Sequence, residues 1–204
     1  MKKFIVLIFL SSSFHLFAQS EEEKPSVKKG FQKEKLFTGG SVTVGFSSYS
    51  TTLGIDPQLG YSLTNWADVG INLNLNYTSQ RDYQVYGDKL RQTVYGPGAF
   101  VRLFPVNFLF ASAQYEYNII RVKYIAANNS GYSNNTYKVN AGSLLLGAGY
   151  AGGREPGSNT YYFISISWDV LGNKNSPYIN EVGRSSPIIR AGYNIGLFQG
   201  KRRY

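Results

Sequence analysis

A chain of 204 residues with 17 Tyr, 13 Phe and 22 Gly but no Cys favours a single all-β domain, and it excludes disulfides, thiolate nucleophiles and Cys-based zinc sites. Its only histidine, His15, lies in a segment that the sequence marks for removal, so the mature chain would contain no imidazole. The formal charge of +9 does not indicate a nucleic-acid partner, because 11 basic and 8 acidic residues lie between Leu36 and Gly200, a net charge of only +3 there.

The first residues have the organisation of a secretory signal peptide. Met1, Lys2 and Lys3 form a basic start, an apolar run extends from Phe4 to Leu10, and a cleavage site ends at Ala18. A membrane-spanning helix needs about 20 apolar residues, and this run is far shorter. We therefore predict that residues 1–18 are a signal peptide and that the protein is exported.

Two charged segments flank the central region. Residues 19–35 are almost without apolar side chains, which predicts a disordered, solvated leader. Residues 199–204 form a basic C-terminal tail. The folded domain is therefore predicted to span residues 36–198.

Within that domain, apolar residues alternate with polar or small ones, as they do in strands that have two unlike faces. The alternation predicts eight strands, at about 38–47, 52–63, 67–77, 92–103, 108–121, 138–150, 160–170 and 188–198. Pro57 and Pro97 interrupt two of them, and each removes one donor from the ladder. We expect a local bulge at each proline.

The nature of the polar face distinguishes a membrane barrel from a soluble one. In the third predicted strand the apolar residues Val69, Ile71 and Leu73 alternate with Asp68, Gly70 and Asn72. A soluble barrel would instead be apolar inside and rich in Lys and Glu outside. The links also alternate between short turns and long polar loops. The sequence predicts an all-β, closed, antiparallel, eight-stranded, up-and-down transmembrane β-barrel. A secreted soluble β-sandwich is the alternative.

The stretches Ile55 to Leu73, Tyr95 to Asn118 and Pro187 to Phe198 resemble the small eight-stranded outer-membrane β-barrels of OmpA/OmpX type, in particular their uncharacterised signal-peptide-bearing branch. The resemblance implies the outer membrane of a Gram-negative cell, a porin-like barrel fold and insertion by the barrel-assembly machinery. It implies little chemistry, because these stretches are strand patterns. The chain departs from the family's usual ending, since QGKRRY follows Phe198.

Charged residues on the predicted inner face are the first candidate site. Ionised groups inside a lipid-surrounded barrel must pair, because their isolated burial is costly. Asp169 and Arg190 are predicted to form a salt bridge between neighbouring strands. The full set of lumen charges comprises Asp56, Asp68, Arg102, Glu116, Asp169 and Arg190.

The second candidate site is an external rim of cations that strand parity directs outward. Arg and Lys at this height suit the phosphates of lipopolysaccharide, although rim charges can also be simply solvated. The rim residues are Arg91, Arg121, Lys123 and Lys138.

No catalytic, metal-binding or cofactor motif accompanies these patterns. The glycines of GAGYAGG at 147–153 have a dinucleotide-like spacing, but no helix follows them. The sequence therefore favours a structural or surface-interaction protein whose lumen is filled by side chains, with no constitutive pore. The alternatives are a narrow gated channel for ions or small solutes, and an outer-membrane lipid-modifying enzyme. Nothing in the loops identifies a surface partner.

Overall fold

The computed structural model describes residues 30–46, 48–128, 130–180 and 183–199. The predicted signal peptide, most of the predicted leader and residues 200–204 lie outside the described residues. The chain divides into two units, Met1–Phe31 and Gln32–Tyr204, and the architecture below is that of the second. Among the described residues, no helix is long and apolar enough to cross a membrane.

The second unit is a closed barrel of eight antiparallel strands in sequence order, which confirms the predicted fold class. The last residues of the predicted leader, Lys33–Lys35, form one 3-10 turn that leads into the first strand. The strands are β1 Leu36–Phe46, β2 Ser50–Thr64, β3 Ala67–Arg81, β4 Lys89–Val106, β5 Leu109–Ile125, β6 Asn135–Gly152, β7 Tyr161–Asp169 and β8 Ile188–Gly196.

The links define two ends of the barrel. Short turns join β2 to β3 and β4 to β5 at the end where β1 begins and β8 finishes, which we call the turn end. The longer links 82–88, 126–134 and 170–187 lie at the opposite end, which we call the loop end. The link from β6 to β7, residues 153–160, is the longest at the turn end.

The two faces of the sheet are chemically opposite. Outward residues are large and apolar; Ile71, Val44 and Ile189, for example, are 62%, 55% and 56% exposed. Inward residues are mostly polar or small, and Asp68, Glu116, Asn118, Ser143 and Asn194 are fully enclosed. Such a surface is stable where the outside is apolar, as it is in lipid.

The expectation of bulges at Pro57 and Pro97 is wrong. Pro57 stands opposite Gly40 and Pro97 opposite Leu73, and the strand register is the same on either side of both prolines. Instead, the β2–β3 ladder lacks the pairs of Asp56 and Pro57, and the β4–β5 ladder lacks the pairs of Gly96 and Pro97. Each proline lacks one N–H toward one neighbour only, so a missing rung is sufficient and no extra residue is needed. The register shifts of these ladders lie elsewhere, between Ser62 and Thr64 and between Leu103 and Val106.

Inner-face aromatic rings lie on glycines directly opposite them on the neighbouring strand. At Gly70, an added Cβ would lie 2.5 Å from Cζ of Phe100 and 2.5 Å from the carbonyl oxygen of Leu59. The ring thus occupies the volume that a side chain would need, and the glycine lets it approach the backbone. The pairs are Phe37 with Gly60, Phe100 with Gly70, Phe110 with Gly149 and Phe163 with Gly192.

Strands β3 to β6 continue past the apolar band at the loop end, further than the sequence predicted. We call residues 78–81, 89–94, 120–125 and 135–141 the extension sheet; they remain fully paired across β3 to β6. Its polarity is reversed, because Val94, Ile120, Val122 and Ala141 form a buried cluster on the inside. The outer side of the extension sheet carries polar and charged residues, as a water-exposed sheet does.

Candidate functional site

All of the predicted lumen charges lie inside the barrel and are at most 6% exposed. The inner position of each follows from strand parity, since side chains alternate between the two faces. Their partners, in contrast, depend on strand register and on the β7–β8 loop. The structure divides them into a central group, a group at the turn end, and Asp169 near the loop end.

The central group is organised by Arg190 of β8. Its guanidinium lies 2.9 Å from Oε1 of Glu116 on β5 and 3.6 Å from Oδ2 of Asp56 on β2, so one cation bridges two acids across the lumen. Asn72 donates to Asp56 at 2.6 Å, and Gln114 donates to Glu116 at 2.8 Å. These donors compensate the second carboxylate charge in a space closed to water.

The predicted salt bridge between Asp169 and Arg190 is wrong. Both side chains are buried in the lumen, but Arg190 stands opposite Ser165 in the register of β7 and β8. Asp169 is four residues further along β7, about 13 Å away at 3.3 Å per residue. It accepts instead from the backbone N–H groups of Leu144 and Leu171, at 3.1 and 3.0 Å.

The β7–β8 loop folds back into the loop end of the barrel and completes the polar network. The Tyr178 hydroxyl donates to Oε2 of Glu116 at 2.6 Å, and the Ser176 hydroxyl donates to Oδ2 of Asp169 at 2.6 Å. Asn74 of β3 donates to both Glu116, at 3.1 Å, and the Tyr178 oxygen, at 3.0 Å. Two loop side chains therefore close the lumen from above.

A second group lies at the turn end. Asp68 accepts from Ser62 at 2.6 Å and from Tyr161 at 3.3 Å, and Arg154 of the β6–β7 link lies 3.9 Å from it. Arg102 stands directly opposite Asp68 on β4, but its guanidinium donates to Gln58 at 2.8 Å. It also lies over the rings of Phe100 and Phe163, at 4.7 and 4.5 Å.

These contacts leave little free space at mid-height. The cavity between Asp56, Arg102, Gln114 and Arg190 has a volume of only about 20 Å³, roughly that of one water molecule. No group of three or more acidic or His residues in the described part of the chain is placed to hold a metal ion. At mid-height the lumen is therefore a packed polar core.

The predicted rim cations lie on the outer side of the extension sheet, and all four are exposed. Arg91 stands directly opposite Lys123, and Arg121 directly opposite Lys138. Like charges placed opposite each other are destabilising unless an anion lies between them. The register therefore makes this outer surface a candidate anion site.

Two further cations, Arg81 and Lys89, form an opposed pair beside the first four. The sequence analysis missed them, although they face the same side of the sheet as Arg91. Among the described residues, the ion pairs involve only Arg154 and Arg190 as cations. We call the six the cation cluster: Arg81, Lys89, Arg91, Arg121, Lys123 and Lys138.

The β3–β4 loop beside the cation cluster is held by one buried carboxylate. Asp88 accepts from the backbone N–H groups of Tyr83, Gln84 and Val85, at 2.6, 2.9 and 3.1 Å, and from the Tyr124 hydroxyl at 2.9 Å. Desolvation raises the pKa of Asp88, but these four donors together outweigh it and hold the pKa below the ordinary value. The loop is thus fixed by the ionised form.

A pH titration tests this arrangement. Because the folded pKa of Asp88 is lowered, its contribution to loop stability is complete above the unfolded value of about 3.9 and is lost as the pH falls through the lower, folded value. We expect the NMR amide signals of Tyr83 and Gln84 to shift only below about pH 3.9. D88N should abolish the titration. A midpoint above that pH in the wild type would contradict the assignment.

The fold and its interior define a class of protein: a closed eight-stranded barrel that is polar inside and apolar outside. No protein-family model and no curated protein matches the sequence. Among solved structures, it is similar to Ail, the attachment invasion locus protein of Yersinia pestis, in complex with the heparin analogue sucrose octasulfate (TM-score 0.44, 10% identity, 78% of this chain and 95% of that one). It is also similar to Neisserial surface protein A (TM-score 0.40, 14% identity, 79% and 95%).

Proposed function

We propose that this chain is an exported outer-membrane barrel with a structural or surface-interaction role, whose extension sheet and loops face the outside of the cell. The observation that carries the proposal is the outward apolar band. On β7 and β8, each of 9 residues, this band occupies the whole strand, which matches the 9–11 residues that a tilted strand needs to cross a bilayer. The proposal includes insertion by the barrel-assembly machinery and assigns no catalytic role and no cofactor.

Cell fractionation together with gel mobility tests this proposal. A membrane barrel should be recovered with outer membranes and should migrate differently before and after boiling, because a closed barrel resists unfolding by detergent in the cold. Recovery in a soluble fraction, with a single mobility under both conditions, would refute the membrane location.

The packed lumen supports a closed barrel rather than a gated channel. The mid-height cavity has a volume of only about 20 Å³, and Tyr178 and Ser176 hydrogen-bond to lumen carboxylates at the loop end. We expect purified protein in planar bilayers to show no steady conductance. Steady single-channel currents would show that the network opens and would favour the channel alternative.

We further propose that the cation cluster contacts the phosphates of lipopolysaccharide. Opposed cations on four adjacent strands, at the outer boundary of the apolar band, match a layer of fixed anions at that height. Arg and Lys bind phosphate oxygens through charge-assisted hydrogen bonds. Solvated rim charges are the alternative, and they require no anion.

Neutralising four residues of the cation cluster distinguishes binding of lipopolysaccharide from simple solvation of the rim charges. One hydrogen bond to a charged group contributes about 1.5–3 kcal/mol, so the variant R91Q/R121Q/K123Q/K138Q should retain at least about tenfold less lipopolysaccharide after purification. K33Q/K35Q, which changes cations at the turn end, is the control and should retain the wild-type amount. Equal retention by all three proteins would assign the cluster to ordinary solvation.

A further inference from the structure

The barrel is incompletely paired where its first and last strands meet. The β1–β8 ladder ends at the pair Val42 and Ala191, although β1 continues to Phe46 and β8 begins at Ile188. In that register the next hydrogen-bonding pair would be Val44 and Ile189, and the ladder does not reach it. We call this unpaired stretch at the loop end the seam.

Backbone groups of both strands point into the seam. Along a strand the N–H and C=O groups of alternate residues face the same neighbour, and the Leu36 carbonyl accepts from Leu197 on the β8 side. The groups of Val44 therefore also point toward β8. The outward side chains there are apolar, since Val44 is 55% and Ile189 56% exposed. Unpaired backbone groups within the apolar band of a membrane barrel are costly unless they line a cavity or bind a ligand.

A cavity of about 440 Å³ does lie behind the seam, inside the loop end of the barrel. Pro177 and Tyr178 of the β7–β8 loop form part of its wall. None of the described residues that line it is charged, and its hydrogen-bonding side chains are hydroxyls and amides. They are Thr43, Ser50, Thr52, Asn76, Thr78, Gln92, Tyr178 and Ser186.

An apolar groove adjoins the seam on the outer surface. It has a volume of about 540 Å³, and its side chains include Val42, Val44, Leu53, Ile55 and Leu75 of the outward band. Thr43 and Val44 of β1 line both the groove and the inner cavity, as do Asn76 of β3 and Val94 of β4. The uncharged polar cavity and the apolar groove thus lie on the two faces of the same strands, and β1, which lines both, is the strand that borders the seam.

From this arrangement we infer that the seam is a lateral binding site for a membrane amphiphile with an uncharged, hydroxyl-bearing headgroup. The headgroup enters the inner cavity, where it bonds the hydroxyl and amide side chains and the unpaired backbone of the seam. The acyl chain remains in the outer groove. This inference rests on the proposed membrane location, but it concerns neither the cation cluster nor phosphate.

A disulfide across the seam tests the entry route. The chain has no Cys, so V44C/I189C adds the only thiols, and oxidation joins the two strands where the ladder is open. T38C/I195C joins the same strands at a native outward pair nearer the turn end, away from the groove and the cavity, and is the matched control. The probe is monoglucosyl diacylglycerol, and the readout is the number of probe molecules retained per barrel in native mass spectrometry.

We expect the wild type and the oxidised control to retain one probe molecule. Oxidised V44C/I189C should retain at least tenfold less and should recover when reduced. Equal retention in its oxidised form would overturn the lateral route. Phosphatidylglycerol is the comparison lipid, and its equal retention by the wild type would overturn the inference that the headgroup is uncharged.

A cavity-filling variant provides a test that does not depend on disulfide formation. T52W places a large side chain on the inner face of β2, where Thr52 contacts Thr78 at 3.1 Å. T51W makes the same change on the outer face of that strand and is its control. T52W should lose the probe and T51W should keep it, while both keep the heat-dependent gel shift. Undiminished retention by T52W would overturn the site, whereas loss of the gel shift in the wild type would refute the membrane location instead.

Discussion

The R190M variant is expected to lose about 3–5 kcal/mol of unfolding free energy, the range for removing one partner of a buried ion pair. Arg190 is the cation that lies between Glu116 and Asp56, at 2.9 and 3.6 Å. Its loss leaves two carboxylates facing each other with only amide and hydroxyl donors. Urea titration of barrels folded into lipid vesicles, followed by tryptophan fluorescence, measures the difference.

Two further variants separate charge from packing. In D56N/E116Q/R190M the uncompensated charges are gone, so most of the lost stability should return. R184M removes an exposed arginine of the β7–β8 loop and should change little. If R190M were as stable as the wild type, the ion pairs of Arg190 would not contribute to the stability of the barrel. If the triple variant were no better than R190M, the loss would come from packing.

The G70V variant is expected to lose about 1–3 kcal/mol or to fail to assemble, the effect of overfilling a packed core. The first added carbon meets both the Phe100 ring and the Leu59 carbonyl oxygen at 2.5 Å. The ring also packs against the Arg102 guanidinium, 4.7 Å from the ring centroid, and the carbonyl oxygen can move only with its strand. The heat-dependent gel shift and the urea midpoint report the loss.

The matched control is G45V, which adds the same side chain on the inner face of β1. A Cβ at Gly45 has its nearest recorded neighbour, Cβ of Thr52, at 3.6 Å, an ordinary contact. G45V should therefore assemble normally. Equal stability of the two variants would show that the ring does not need the glycine opposite it.

The sequence was sufficient to predict which segments form strands and which of their side chains face the lumen, because the alternation of apolar and polar residues indicates both. Asp56, Glu116 and Arg190 were therefore predicted to share the lumen, and the structure places them there. Their partners could not be predicted, because pairing depends on register. A shift of four residues along β7 separates Asp169 from Arg190.

The contribution of the β7–β8 loop to the polar network of the lumen could not be predicted from the sequence. Tyr178 occupies a link without periodicity, and nothing in its neighbours indicates that its hydroxyl reaches Glu116. The Asn residues of β3 did give a signal, since Asn72 and Asn74 stand in step on the inner face. They were read as evidence for a membrane barrel, and their role as donors to Asp56 and Glu116 was missed.

The extension sheet was underestimated for a related reason. Outside the apolar band the alternation continues with its polarity reversed, with Ile120 and Val122 inside and Arg121 and Lys123 outside. A search for strands with an apolar outer face stops where the band ends. The chain goes on pairing because a water-exposed sheet with an apolar inner face is equally stable.

If the loop end faces the outside of the cell, as proposed, the position of each cation in the fold also determines where an added protease cuts. A trypsin-like enzyme requires a basic residue in a segment that can leave its hydrogen bonds, and the cation cluster lies in the ladder of β3 to β6. Lys174 and Arg184, in contrast, are exposed in the long β7–β8 loop. Digestion of intact cells should therefore start at these two residues and separate β8 from the first seven strands, while the cation cluster remains uncut.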